Sequence, residues 1–181
     1  MKTQKVNKWI PYVGIPLLCT GFFILNHGWL PMIEILNFEI LIVFGYILTV
    51  QDLRTKSVPN LILLTMLAIW CMVQIPLVVS DFDRGLGNLI SAVMGGAIGG
   101  GVFLLVYIIS RHGLGAGDVK FMAIAGLYLG MNLVMSSMLI GSILSAITGI
   151  VLLCMKKISK KDEIPLVPFL YMGILLTIFF L

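Results

Sequence analysis

The chain has 181 residues, of which 60% are hydrophobic and only 11% charged, and its mean hydropathy is +1.10; soluble domains run nearer about 45–50% apolar and about 25% charged. So little charge cannot cover a surface in water, which leaves the bilayer as the natural solvent, and the length suits a single domain over 1–181. The net charge of +4 does not indicate nucleic acid, because the basic residues sit in short loops between apolar runs, the pattern of membrane orientation.

A helix crosses the hydrocarbon with about 20 residues. Apolar runs of suitable length fall at 9–26, 34–50, 60–79, 88–110, 118–131, 133–154 and 164–181. They predict an all-α polytopic membrane helix bundle with about seven transmembrane helices, six to seven in all, the fifth being short. Lys2, Lys5 and Lys8 before the first run resemble a signal peptide, but no A-x-A-like cleavage site precedes Asn26, so the first run reads as an uncleaved helix. Gly95, Gly96, Gly99, Gly100 and Gly101 crowd the fourth run in overlapping GxxxG spacings. Small residues at that interval let helices approach closely, within this chain in the preferred reading and in a homo-oligomer in the other. Cys19, Cys71 and Cys154 lie far apart in apolar runs, without CxxC or Cys/His spacing, and read as small packing residues rather than zinc ligands.

With the N-terminus placed in the cytoplasm, Lys2, Lys5, Lys8, Arg54, Lys56, Arg111, Lys120, Lys156, Lys157, Lys160 and Lys161 all fall on that side, and only Arg84 falls outside. Glu34, Glu39, Asp81 and Asp83 fall outside on the same topology, as does His27. The protein is thus expected in the plasma membrane, multi-pass, with basic loops that favour anionic lipid.

Two segments on the cytoplasmic side carry candidate chemistry. Gln51-Asp52-Leu53-Arg54-Thr55-Lys56-Ser57-Val58-Pro59-Asn60 closes the second helix and opens the third, with Pro59 suited to the first helical turn and Ser57 or Val58 near the cap. Arg111-His112-Gly113-Leu114-Gly115-Ala116-Gly117-Asp118-Val119-Lys120 has glycine at alternate positions, a loop that can approach another backbone, and Asp118 follows at once. An aspartate at a helix start also serves as an N-cap, which is the structural alternative for Asp118. His112 reads as a loop residue.

Asp52 and Asp118 lie 66 residues apart, separated by two crossings, and an out-and-back hairpin returns both to one face. They are the acids at the membrane edge beside conformationally special loops, where an ionisable group is costly and functional by default. Two carboxylates brought together hold one proton between them. The ionised member can take a proton from water that attacks a carbonyl, while the protonated member hydrogen-bonds the carbonyl oxygen. Such chemistry requires no metal or other cofactor.

Gly115-Ala116-Gly117-Asp118 resembles the GxGD signature of membrane aspartyl proteases. The extended Gly113-x-Gly115-x-Gly117-Asp118-x-Lys120 resembles the form found in type IV prepilin peptidases and preflagellin peptidases. Asp52-Leu53-Arg54 with Val58-Pro59-Asn60 is similar to that family's first aspartate segment, and Ile164-Pro165-Leu166-Val167-Pro168-Phe169-Leu170 to its proline-rich entry to a late helix. The three matches come in family order from residue 52 to 170. The resemblance implies an aspartic-type endopeptidase that removes a short basic leader from prepilin-like and pseudopilin substrates on the cytoplasmic side. It implies Asp52 and Asp118 as the catalytic pair, Gly113, Gly115 and Gly117 as the loop that presents Asp118, and Lys120 beside them. Lys120 also has a plainer reading, a side chain that snorkels to the interface. Many members of the family carry paired CxxC motifs in an added N-terminal part and methylate the product; this chain shows no such cysteines, so the expectation is peptidase activity alone. Two other classes use the same residues differently: a small transporter or channel in which the aspartates bind cations or relay protons, and an inactive scaffold for pilus assembly. Transport sites lie nearer the midplane than these edge-placed acids.

Overall fold

The computed structural model describes residues 14–110, 114–156 and 164–180. The described residues form six helices: α1 (Gly14–Asn26), α2 (Met32–Thr55), α3 (Asn60–Ser80), α4 (Phe82–Ile109), α5 (Ala116–Cys154) and α6 (Val167–Phe179). In hydrocarbon no water is present to satisfy backbone amides, so helices that bond internally are the available solution for apolar runs of this length. Helices α2 to α5 are each long and apolar enough to cross a membrane, and α1 and α6 are shorter apolar helices. Large apolar side chains such as Leu61, Leu64, Met72, Ile75, Ile143, Ile147 and Ile150 point outward. A water-soluble bundle would place polar residues there; here the outer face is a lipid face.

The two runs expected at 118–131 and 133–154 are two helical segments of α5 that meet at a break. A straight helix of 39 residues would reach about 58 Å, roughly twice the hydrocarbon thickness. The break comes at Gly130, whose φ of 67° and ψ of −179° lie outside helical space. Only glycine reaches that backbone region without a Cβ penalty. The chain reverses there: Gly126 and Met122 before the break and Val134 after it all pack on the Gly95–Gly99 stretch of α4. Counting the two segments of α5, 116–129 and 131–154, the described chain has seven helical segments.

The glycine stripe of α4 packs within the chain. A Cβ at Gly95 would strike the backbone of Gly126 and Gly130, one at Gly99 the Met122 carbonyl, and one at Gly100 the Cβ of Ala123. The most extensive helix contact in the bundle, α4 with α5, is built on it. Farther across, Gly173 of α6 meets Ser137 and Gly141 of α5, and the Tyr171 ring lies over Gly45 of α2 while its hydroxyl donates to the Ile42 carbonyl at 3.0 Å. At the other end of α2, Phe22, Phe38 and Phe179 meet edge to face.

Three local expectations need correction. Pro59 is the N-cap of α3 rather than part of its first turn, and neither Ser57 nor Val58 caps it. Cys71 and Cys154 are exposed on the lipid face instead of filling the interior, and Cys19 is half-buried. Asp118 is not the N-cap of α5; that position is Gly115. Lys2, Lys5, Lys8, Arg111, His112, Gly113, Lys157, Lys160, Lys161, Asp162 and Glu163 lie outside the described residues.

Candidate active site

Asp52 lies in the last turn of α2 and is 4% exposed; Asp118 lies in the first turn of α5 and is 8% exposed. One carboxylate oxygen of Asp52, Oδ2, accepts a hydrogen bond from the Val167 N–H at 3.2 Å. That donor is one of the orphan amides at the start of α6, where the helix dipole also favours a carboxylate. Pro168 follows within the same first turn, so one amide that would otherwise need a partner is missing at no cost. The Asp118 carboxylate, at the third helical position, folds back over Gly115. That residue must lack a side chain: a Cβ at Gly115 would lie 2.9 Å from Oδ2.

The two aspartate segments interlock. The chain leaves α2 through Lys56, in left-handed conformation with φ 49°, whose N–H returns to the Asp52 carbonyl at 2.8 Å. It then presents Val58 to the glycine loop. A Cβ at Gly117 would lie 2.7 Å from the Cβ of Val58, so only glycine allows this approach. One turn farther, Lys120 Nζ donates to Asn60 Oδ1 at 3.0 Å, tying the start of α5 to the start of α3. Asp118 consequently lies within the electrostatic reach of Asp52. Among the residues expected at the site, Asp52, Asp118, Gly115, Gly117 and Lys120 come together at one end of the bundle, and Gly113 lies outside the described residues. Among described cations, Arg54, Lys56, Lys120 and Lys156 occupy that end, and Arg84 the opposite one.

Sequence reasoning did not identify Val167 as the partner of Asp52, because the contact is made by a backbone amide and leaves no mark in residue type. Its one signal was the proline beside it. An apolar cleft of about 350 Å³ adjoins the site, lined by Phe103, Val106, Met138 and Ala146 and bordered by Leu114 of the glycine loop and Leu166 next to Val167.

These features define a class: a multi-pass helical membrane protein that buries two carboxylates, from separate helices, at one end of its bundle. Residues 39–150, more than half of the chain, match the type IV leader peptidase family, and the chain belongs to that family. A prepilin leader peptidase/N-methyltransferase of Bacillus subtilis (strain 168) is 26% identical over 132 residues, covering 72% of this chain and 50% of the relative. The chain thus spans about half the length of the curated relative it matches. No solved structure matches it.

Proposed function

We propose that this protein is an aspartic-type endopeptidase that removes the leader from prepilin-like proteins at the cytoplasmic face of the membrane, with Asp52 and Asp118 as its catalytic pair. The observation that carries the reading is the placement of two buried carboxylates, from separate helices, at one end of the bundle, with the Val167 N–H bonded to Asp52. Family membership supports it, as does the leader peptidase named in Bacillus subtilis. The proposal concerns the peptidase reaction.

In the mechanism, the pair holds one proton between its two carboxyl groups, since like charges so close resist joint ionisation. The ionised member removes a proton from water as the water oxygen attacks the scissile carbonyl carbon. The protonated member donates to the carbonyl oxygen as it gains charge, then a proton passes to the leaving amine as the C–N bond breaks. Which aspartate holds the proton is a property of the pair. The Val167 amide keeps one Asp52 oxygen fixed, so little of the attack geometry must be organised during the reaction. The apolar cleft is bordered by Leu114, in the loop that precedes Asp118, and by Leu166, next to the Val167 amide that holds Asp52, and we place the apolar segment that follows the cut there. The basic end of the bundle gives no attraction for a basic leader, so apolar packing rather than charge positions the substrate.

The test is cleavage of a prepilin-like substrate by the purified protein in lipid, read by mass spectrometry. A single cut at the junction of leader and apolar helix, lost in Asp52→Asn and in Asp118→Asn, is the expected outcome. Cleavage at undiminished rate in either variant would discard the acid pair. A folded protein that binds but never cuts such substrates would favour a scaffold.

A further inference from the structure

At the end of the bundle opposite the aspartates, α2, α3, α4 and α5 line a second cleft of about 400 Å³, in which polar side chains stand among apolar ones. Two amide side chains line it from within the bundle, Asn37 of α2 and Gln74 of α3, each 8% exposed. Neither Asn37 Oδ1 nor Gln74 Oε1 accepts a hydrogen bond from any described residue. Glu34 stands one turn from Asn37 on the same wall, Ser91 faces it from α4, and the exposed Asn88 and Asn132 complete the polar rim.

An amide oxygen buried without a donor is a standing cost to the fold. Both belong to side chains that line the same cleft, which points to a shared partner. Two donors nearby are committed elsewhere: the Tyr128 hydroxyl gives its proton to the Met66 carbonyl at 2.6 Å, and Trp70 Nε1 donates to the Leu127 carbonyl at 3.1 Å. The break at Gly130 lies at the cleft wall, and there Met131 N–H turns aside to Ser91 Oγ. Among the described residues that line the cleft there is no lysine, arginine or histidine to neutralise Glu34. The donor set is therefore all oxygen, with one carboxylate and two unsatisfied carbonyl-type groups. Hard cations take such ligands, and helix breaks inside membranes are where monovalent cations are commonly held. A single carboxylate matches a single positive charge.

We propose that this cleft binds a compact monovalent cation, held by Asn37 Oδ1, Gln74 Oε1 and the Glu34 carboxylate. The same ligands would serve an alkali-metal ion or an ammonium group, and they act independently of the aspartate pair at the other end. The experiment is thermal unfolding of the full-length protein in detergent, at constant ionic strength and pH, in the chlorides of sodium, potassium, methylammonium and N-methylglucamine. A rise of about 3–6 °C over N-methylglucamine is expected once the cation reaches about ten times its dissociation constant, growing with the logarithm of its concentration beyond that. A rise in sodium or potassium assigns the site to a metal ion, and a rise in methylammonium alone to an ammonium group. Glu34→Gln, which preserves shape, should weaken the apparent affinity at least about tenfold by removing the counter-charge. Asn37→Leu and Gln74→Leu should abolish the shift; should either fail to fold, Glu34→Gln carries the test. Equal midpoints in all these salts would mean that water alone satisfies the amides and would overturn the proposal. So would a shift that follows the anion when gluconate replaces chloride, or one of full size in Glu34→Gln.

Discussion

Asp52 and Asp118 are held to different standards by their surroundings. Both are buried, but Asp52 is fixed through a donor from a distant helix, 115 positions away, and Asp118 is folded over the start of its own helix. Replacing either by asparagine keeps the shape and removes the acid, and the rate of leader cleavage should fall by about 10²–10⁴-fold or more while the protein remains folded in the membrane. Gly117 offers a sharper test of how the two meet. Gly117→Ala inserts a methyl against Val58 and should reduce cleavage at least about tenfold by displacing Asp118, since small misplacements at a reacting centre are costly. Val58→Gly in the same chain removes the opposing Cβ and should restore most of the loss; failure to do so would detach Gly117 from the alignment of the pair. Lys120 is less consequential. Its bond to Asn60 is exposed, and Lys120→Met should cost less than about 1 kcal/mol of stability.

Among the elements, α5 bears the greatest constraint. It carries Asp118 at its start and a reversal at Gly130 in its middle, and it packs on α4 through glycine backbones on both sides. Gly130→Ala forces a left-handed backbone on a residue with a Cβ and should destabilise by about 1–2 kcal/mol, seen as a fall of about 2–8 °C in the unfolding midpoint. The contact of α2 with α6 matters because it delivers the Val167 amide to Asp52. Tyr171, whose hydroxyl meets the Ile42 carbonyl and whose ring covers Gly45, sets that spacing. Tyr171→Phe should cost about 1 kcal/mol, measurable in the same unfolding experiment.

Across the whole molecule, the bundle has two chemically different ends joined by a lipid-facing middle. One end holds the aspartates with Arg54, Lys56, Lys120 and Lys156; the other holds Arg84 and the polar cleft around Asn37 and Gln74. In a background lacking the native cysteines, Arg54→Cys and Arg84→Cys should react with a membrane-impermeant maleimide from opposite faces of sealed vesicles. Labelling of both from one face would contradict the arrangement. The hydrophobic exterior, including Cys71 and Cys154, faces the solvent that these apolar runs require, so thiols there mark lipid contact rather than interior packing.

What the amino-acid sequence determined by itself was set by periodicity, length and charge. Apolar runs of bilayer length permit helices and little else, and the two crossings between them return Asp52 and Asp118 to one end of the bundle. Glycines at 115 and 117 were legible because residue type there is the constraint. Other features lay beyond it because they depend on contacts between distant backbones. The Val167 N–H that fixes Asp52 has no residue signature. The unsatisfied amides of Asn37 and Gln74, far apart in the chain, form one cleft only when four helices pack. Helix formation in lipid is a local response to solvent, which sequence encodes residue by residue; the position of a polar group relative to its partner is decided by packing, which brings together atoms the chain holds apart.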